Sequence, residues 1–480
     1  MRSTEKATPE AEFRVSRFLH VVDGEGATDG YSVLYNALTL GVLIVSRDIA
    51  DRIRFLQERG LTATVASLED NAASHMIEEL TTHRMFLGSR QSEYEDYAAA
   101  WHPIVRPRIG VLYLLLTDDC NMQCSYCYML KGMPSGYEYS MMTQEVAEYG
   151  IDLFVHSLAE SLRYGVSIPR IGFFGGEPVL NFEVLSKAVC FIEEYESTGQ
   201  LPRNTLVTLN TNGTLVTPEI ALFLNQHNVK VIVSLDGWQS IHDTCRVYRT
   251  GKGTFNDVVR GIETLEAAGV RPTVSCTVDH HNVDNIEEVL QWILDTFKVT
   301  AVSLNPYVAP AVRDPKRARE WANKAAKKLI SCYEICRSRG IYEGRVMRYV
   351  RAFVQGHIQY TDCAGCGQQI VVDPKGNVGV CQAYCGTKQY FVPYGQAFNP
   401  LDHPYWNELR LRSPLVMPQC LDCIALSICG GGCPQSAHRQ KGSIWEIDEI
   451  SCIIPKEVTR YILLALLETK LKEVTGESVR

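Results

Sequence analysis

Between residues 110 and 305, short apolar runs alternate with longer amphipathic stretches, and this alternation constrains the fold more than any other feature of the chain. The apolar runs are IGVLYLLL (110–117), RIGFF (170–174), LVTLN (206–210), VKVIVSL (229–235), TVSCTV (273–278) and VSLN (302–305). They are nearly continuous, as strands covered on both faces are. Between them TQEVAEYGIDLFVHSLAESL, NFEVLSKAVCFIEEY and TFNDVVRGIETLEAAG carry a helical period. Strands that alternate with helices predict a parallel sheet under a layer of helices, and six such units predict a complete or partial (β/α) barrel. In that architecture functional groups collect at the C-terminal ends of the strands.

Polar motifs fall at four of those ends. Cys120, Cys124 and Cys127 follow the first strand in the stretch TDDCNMQCSYCYM. Gly175-Gly176-Glu177-Pro178 follows the second, Asn210-Thr211-Asn212-Gly213 ends the third, and Ser234-Leu235-Asp236-Gly237 ends the fourth. A single glycine pair after a strand is usually a turn; four polar motifs in register are harder to dismiss. The cysteine spacing is C-x3-C-x2-C. A four-iron cluster normally takes four thiolates, so three close thiolates would leave one iron open, and open coordination positions are where metal centres do chemistry. Part of a zinc site is the alternative for the triplet taken alone.

Composition sets the compartment and excludes some functions. The 480 residues hold 17 cysteines, an odd number in a long chain, which argues against a disulfide framework. The polar start MRSTEKATPEAEF has no apolar h-region. YILLALL (461–467) is far short of the roughly 20 residues that span a bilayer. A cytoplasmic protein with reduced, metal-bound cysteines and no membrane partner is expected. A net charge of −8 argues against general nucleic-acid binding. Hydrophobic content of 46% with 21% charged residues is ordinary globular usage, and the length suggests two to four domains.

The C-x3-C-x2-C loop after the first strand, with GGEP after the second, resembles the radical S-adenosylmethionine (SAM) enzymes over roughly residues 110–305. The resemblance implies an α/β fold with a partial (β/α)6 barrel of the TIM type. It implies a [4Fe–4S] cluster on Cys120, Cys124 and Cys127, with SAM on the open iron. SAM is then cleaved to a 5′-deoxyadenosyl radical that abstracts a substrate hydrogen. Matching by motif puts Tyr126 near the adenine and Gly175, Gly176 and Glu177 around the SAM amine. Ser234 and Arg246 resemble the pair that binds the SAM carboxylate in sulfatase maturases, a task suited to the planar guanidinium. Asp236 reads as a turn residue beside Gly237. An electron donor such as flavodoxin or ferredoxin is implied as a partner.

A second cysteine field runs from 360 to 452. Its order is Cys366-x9-Gly376-x4-Cys381, then Cys420-x2-Cys423-x5-Cys429-x3-Cys433, then Cys452. Alone, CxxC with CxxxC would suggest a zinc ribbon. The full order resembles the SPASM extension of radical SAM enzymes, which implies two auxiliary [4Fe–4S] clusters and three in all. By that resemblance Cys420, Cys423, Cys429 and Cys452 hold one. Cys366, Cys381 and Cys433 hold the other, with Cys363 as the candidate fourth ligand and Cys385 as its competitor. Asp-Pro-Lys-Gly (373–376) is turn chemistry that lets Cys366 and Cys381 converge. Cys190 and Cys276 sit in apolar runs and are expected in the core, as are Cys332 and Cys336, four apart on a helix. Where sulfatase maturases carry an Asp base, this chain has Gln382, and an amide is no general base near pH 7.

Residues 1–105 read as strands and helices that resemble the small winged-helix module with which peptide-maturing radical SAM enzymes grip a leader peptide; a structural cap is the plain alternative. YSVLYNALTLGVLIVS reads as two strands, DIADRIRFLQERG as a helix stopped by Gly60, and IEELTTHRMFL as a helix leading into a strand. The prolines of WHPIVRPRIG mark the junction. The expected organisation is 1–105 leader-binding module, 106–305 radical SAM core, 306–455 SPASM domain and 456–480 closing helix. The resulting expectation is an oxidoreductase that matures a ribosomally made precursor peptide with a leader, forming a thioether or a carbon–carbon or carbon–oxygen crosslink. The rivals are a maturase of a folded protein, a small-molecule dehydrogenase or epimerase, and a non-catalytic iron–sulfur redox protein.

Overall fold

The computed structural model describes residues 12–63, 73–88, 91–101, 106–129, 133, 135–166, 168–307 and 314–475. Residues 1–11 of the N-terminal stretch read above for a targeting signal and Pro103 of the junction lie outside them. The front of the chain forms β1 (Phe13–Val15), β2 (Leu19–Asp23), β3 (Tyr31–Asn36), β4 (Val42–Ser46), α1 (Arg47–Arg59), β5 (Thr62–Ala63), α2 (Ala73–Thr82), β6 (Phe86–Gly88) and α3 (Glu93–Trp101). The strands make two small antiparallel sheets, ordered β5-β1-β6 and β2-β3-β4. Helix α1 stops at Gly60, whose left-handed backbone (φ 60°) lets its N–H close on Gln57 and Leu56.

The expected strands all form: β7 (Val111–Thr117), β8 (Arg170–Gly175), β9 (Leu206–Thr211), β10 (Lys230–Ser234), β11 (Thr273–Val278) and β12 (Ala301–Pro306). They lie side by side in chain order and run parallel. Helices α4 (Gln144–Ser161), α5 (Phe182–Ser197), α6 (Pro218–Gln226), α7 (Gln239–Cys245), α8 (Phe255–Ala267) and α9 (Ile286–Thr296) connect them. This is a partial barrel. Thr143 caps α4 by accepting from the Val146 N–H, and Thr217 caps α6 in the same way ahead of Pro218. Leu112, Leu114, Leu115 and Leu116 of β7 are fully buried, each contributing about 1.5–3 kcal/mol of burial.

The sheet does not stop at the end of the barrel. α10 (Pro315–Ser338), β13 (Tyr342–Glu343) and α11 (Gly344–Val354) follow, and β13 adds to β12. On the other edge β14 (Gln369–Val372) pairs in parallel with β7, with Gln369 opposite Val111 and Val372 opposite Leu114. β15 (Val378–Gly379) and β16 (Phe391–Val392) complete ten strands among the described residues. The turn from β14 to β15 is the expected one: Asp373 accepts from the N–H groups of Lys375 and Asn377, and Gly376 has φ 82°. The cysteine-rich region therefore grows out of the barrel sheet.

α12 (Pro434–Lys441) and the long α13 (Glu449–Thr475) close the chain. The closing helix begins at Glu449, earlier than residue 456, so Cys452 lies inside it. Asp448 starts it by accepting from the Ile450 N–H. Pro455 sits within the helix, and the Ser451 carbonyl that its missing N–H would have met faces the Cys429 thiol at 4.0 Å. α13 packs along α10, and its Leu463 and Leu467 are buried against Phe18, Val33, Tyr35 and Leu38 of the front module together with Leu415 and Leu426. Among the described residues no helix is long and apolar enough to cross a membrane.

Cys276, Cys332 and Cys336 are buried as expected. Cys190 is exposed instead. On α5 the buried positions are Val184, Leu185, Ala188, Val189 and Ile192; one residue beyond Val189 is a turn of about 100°, which carries Cys190 off the core face.

Candidate active site

The loop after β7 is held on two sides. On one, the Gln123 and Ser125 N–H groups donate to the carbonyls of Val247 (2.8 Å) and Cys245 (2.9 Å). On the other, the end of β8 is pressed against it: the N–H of Gly176 donates to Thr117 O (2.7 Å) and that of Glu177 to Asp119 O (2.8 Å). Only glycine fits there. A Cβ on Gly175 would stand 2.2 Å from Thr117 O, and one on Gly176 1.9 Å from Asp119 O.

Cys120, Cys124 and Cys127 are free thiols, half-buried on this loop and near enough for each charge to bear on the others. Burial pushes the Cys120 thiol up to about 12. Burial also raises Cys124, against which the Arg246 guanidinium works, its Nη1 being 3.9 Å from the sulfur. Asn212 Nδ2 lies 3.9 Å from the Cys120 sulfur. Three convergent thiols with one guanidinium and one amide around them suit an anionic iron–sulfur cluster, which leaves one iron free.

Glu177 is 1% exposed, and its carboxylate accepts from the Thr211 hydroxyl (2.6 Å) and from the N–H groups of Asn212 (2.7 Å) and Val179 (3.2 Å). Burial nevertheless pushes its carboxyl up to about 7. A carboxylate has about four acceptor positions, so one remains for a donor such as an ammonium.

Arg246 is not a surface ion pair. It is buried, and its Nε donates to Asp236 Oδ2 at 2.9 Å. The Tyr126 hydroxyl donates to the same oxygen, and the Thr277 N–H donates to Oδ1 at 2.8 Å. The Asp236 N–H in turn donates to His242 Nδ1 (3.3 Å). That fixes the other ring nitrogen as the donor, to Thr254 Oγ1 at 3.1 Å, and the Thr254 hydroxyl donates to the Arg246 carbonyl (2.8 Å). Burial lowers His242 to about 4, so it stays neutral through this closed circuit. Asp236, read from sequence as a turn residue, is thus the hub that orients Tyr126 and Arg246. Its signal was its place, an acid at the C-terminal end of a barrel strand. Ser234 is half-buried at the end of β10, opposite Ser275 of β11.

The later cysteines fall into two groups. Cys420, Cys423, Cys429 and Cys452 line one small cavity together with Lys456. In the other group Cys363 shares a hydrogen bond with Cys366, and Cys381 and Cys433, both raised chiefly by burial, also feel the Cys363 charge. Cys385 stands apart, fully buried, with Lys388 Nζ 3.6 Å from its sulfur and Asp373 and Asp118 as its charged neighbours. The turn Gln382–Tyr384 carries it away from Cys381.

A cavity of about 460 Å³ lies beside the second cysteine group. Cys363 and Cys433 line it together with Tyr128, Tyr307 and Gln382. The Tyr307 ring is 5.7 Å from that of Tyr126. Gln382 Oε1 accepts from Gln369 Nε2 (3.2 Å). Sequence reasoning missed Tyr307 because nothing local marks it beyond its place at the end of β12.

A partial barrel with three thiols after its first strand and a two-glycine approach after its second defines a class: the chain carries a radical SAM domain, and the profile of the radical SAM superfamily matches residues 114–293. Among individual proteins, it is 20% identical over 479 residues to the radical SAM cyclopropyl synthase TigE of Paramaledivibacter caminithermalis, covering 94% of this chain and 96% of that one. In fold it resembles native anSMEcpe with bound AdoMet (TM-score 0.61, 21% identity, 76% of this chain and 99% of that chain). It also resembles Streptococcus suis SuiB bound to precursor peptide SuiA (TM-score 0.52, 13% identity, 94% and 100%).

Proposed function

We propose that this chain is a radical SAM oxidoreductase that matures a ribosomally made peptide, closing a carbon–carbon, carbon–oxygen or thioether bond. The observation that carries the reading is the cavity of about 460 Å³ whose lining includes both Tyr307, neighbour of Tyr126, and the Cys363 and Cys433 thiols. A substrate held there would adjoin a neighbour of the proposed SAM site and two proposed auxiliary-cluster thiols. The whole-length similarity to a cyclopropyl synthase and the fold likeness to a protein bound to its precursor peptide support it.

In this reading Cys120, Cys124 and Cys127 hold the SAM cluster. Ser234 and Arg246 bind the SAM carboxylate, with Asp236 keeping the guanidinium in place. Gly175, Gly176 and the remaining acceptor position of Glu177 take the amine, and Tyr126 lies by the adenine. When bound, SAM supplies a 5′-deoxyadenosyl radical that takes one hydrogen atom from the substrate. Closing the new bond then releases a proton and one electron, so each crosslink removes two hydrogens. Cys363, Cys366, Cys381 and Cys433 would hold one auxiliary [4Fe–4S] cluster and Cys420, Cys423, Cys429 and Cys452 another, and such clusters would supply an acceptor for that electron. A flavodoxin or ferredoxin reduces the SAM cluster, and the reducing cytoplasm keeps the thiols free. The wall offers an amide, Gln382, where formylglycine formation would use a carboxylate base. The front module binds the leader by adding it as a strand to one of its small sheets.

The test is mass spectrometry of a precursor encoded beside this gene and co-expressed with the enzyme. The expected product is lighter by two hydrogens per crosslink. An unmodified precursor alongside enzyme that forms 5′-deoxyadenosine would sink the proposal.

A further inference from the structure

Donors and acceptors in the wall of the 460 Å³ cavity do not balance. Its acceptors are already in use. The Asp362 carboxylate is held by Arg348. Asp448 accepts from the Ser436 hydroxyl (2.7 Å), the Ser451 hydroxyl (2.9 Å) and the Ile450 N–H (3.1 Å). Gln382 Oε1 accepts from Gln369. Its donors are in surplus. The Tyr307 hydroxyl and Arg348 Nε are buried, and neither has an acceptor among the described residues. Arg439 stands beside the Tyr307 hydroxyl. Arg345, steadied by Asn305 (2.9 Å) and with the buried Glu343 carboxyl as a charged neighbour, lines the same space, as does Arg439. Three guanidiniums, Arg345, Arg348 and the exposed Arg439, thus line one cavity with two carboxylates, Asp362 and Asp448, and leave two buried donors idle. Buried donors left without acceptors are costly, and a guanidinium beside a hydroxyl matches the two oxygens of a carboxylate.

We infer that this cavity binds a carboxylate of the substrate, an Asp or Glu side chain or the peptide's own C-terminus, held by Arg439, Arg345 and Tyr307. The inference rests on the peptide reading above and adds to it a requirement for an anionic group at or beside the reacting residue.

Anaerobically reconstituted enzyme with SAM is titrated with three pentapeptides: acetyl-Ala-Ala-Glu-Ala-Ala-amide, its Gln counterpart, and the Gln peptide with a free C-terminus. The Glu peptide is expected to bind about tenfold tighter than the amidated Gln peptide, the size of one charge-assisted contact. Arg439→Gln should bring that ratio close to one while iron content and SAM affinity stay unchanged. Tight binding of the free-terminus Gln peptide would assign the site to a chain-end carboxylate; tight binding of the Glu peptide alone assigns it to a side chain. Equal binding of all three, or binding of none, overturns the inference. So does an Arg439→Gln enzyme that keeps the Glu preference but shows a shifted cluster midpoint potential, for then the guanidinium serves the cluster. The precursor mass test is independent of all these outcomes.

Discussion

At the scale of single residues, spacing told most about the thiols and least about their partners. C-x3-C-x2-C and GGEP were legible because the chemistry and the backbone approach dictate both residue type and interval. Asp236 was not, because the groups it binds come from the Cys loop, the segment after α7 and β11, which only the fold brings together. Nor could spacing choose between Cys363 and Cys385; the fold sets Cys385 beside Lys388 and Cys363 beside Cys366, which supports the proposal of Cys363. The three clusters proposed would hold about twelve irons, four for each. Cys363→Ala should therefore lower bound iron by about one third, and Cys385→Ala should leave it unchanged, as read by iron and sulfide analysis of anaerobically purified protein. Glu177 gives a pH dependence. Its folded carboxyl, at about 7, binds its proton more tightly than the ordinary carboxyl of an unfolded chain at 4.5. A raised pKa contributes stability that is present below 4.5 and lost as pH rises toward 7. Apo-protein is expected to lose on the order of 3 kcal/mol across that window, and Glu177→Gln should flatten the slope. Thermal unfolding at a series of pH values checks this, and equal slopes would refute it.

At the scale of elements, all six barrel strands were visible in the sequence because buried parallel strands are apolar throughout. The first turns of α13 were not. The closing helix was expected from 456, whereas Asp448 starts it earlier and the carbonyl left over by Pro455 is turned to Cys429. A helix that carries Cys452 at one end and Leu463 and Leu467 against the front module farther along joins the cysteine-rich region to the module rigidly. Leu463→Ala is expected to cost about 2–5 kcal/mol and to make the front module the first segment cut by protease. If limited proteolysis instead opens the barrel first, the helix is not what holds the module.

At the scale of the whole molecule, no local pattern announced that β14 would pair with β7, since partners far apart in sequence leave no short-range mark. The expected boundary at 305/306 described where motifs change and not where the sheet ends. A fragment of residues 106–343 would expose β7 as a long, flat apolar edge, and such edges recruit other strands. It should elute as large aggregates in size-exclusion chromatography, while the full chain elutes as a discrete species. The same pairing has a consequence for biosynthesis. The strand that launches the SAM-cluster loop leaves the ribosome about 250 residues before its neighbour β14, roughly 12–50 s at ordinary elongation rates. Throughout that interval the nascent barrel has one raw flank, and iron delivered to Cys120, Cys124 and Cys127 would meet a half-built wall. Cofactor loading therefore belongs after translation has ended, and a cell making this protein must shield the unfinished edge until then.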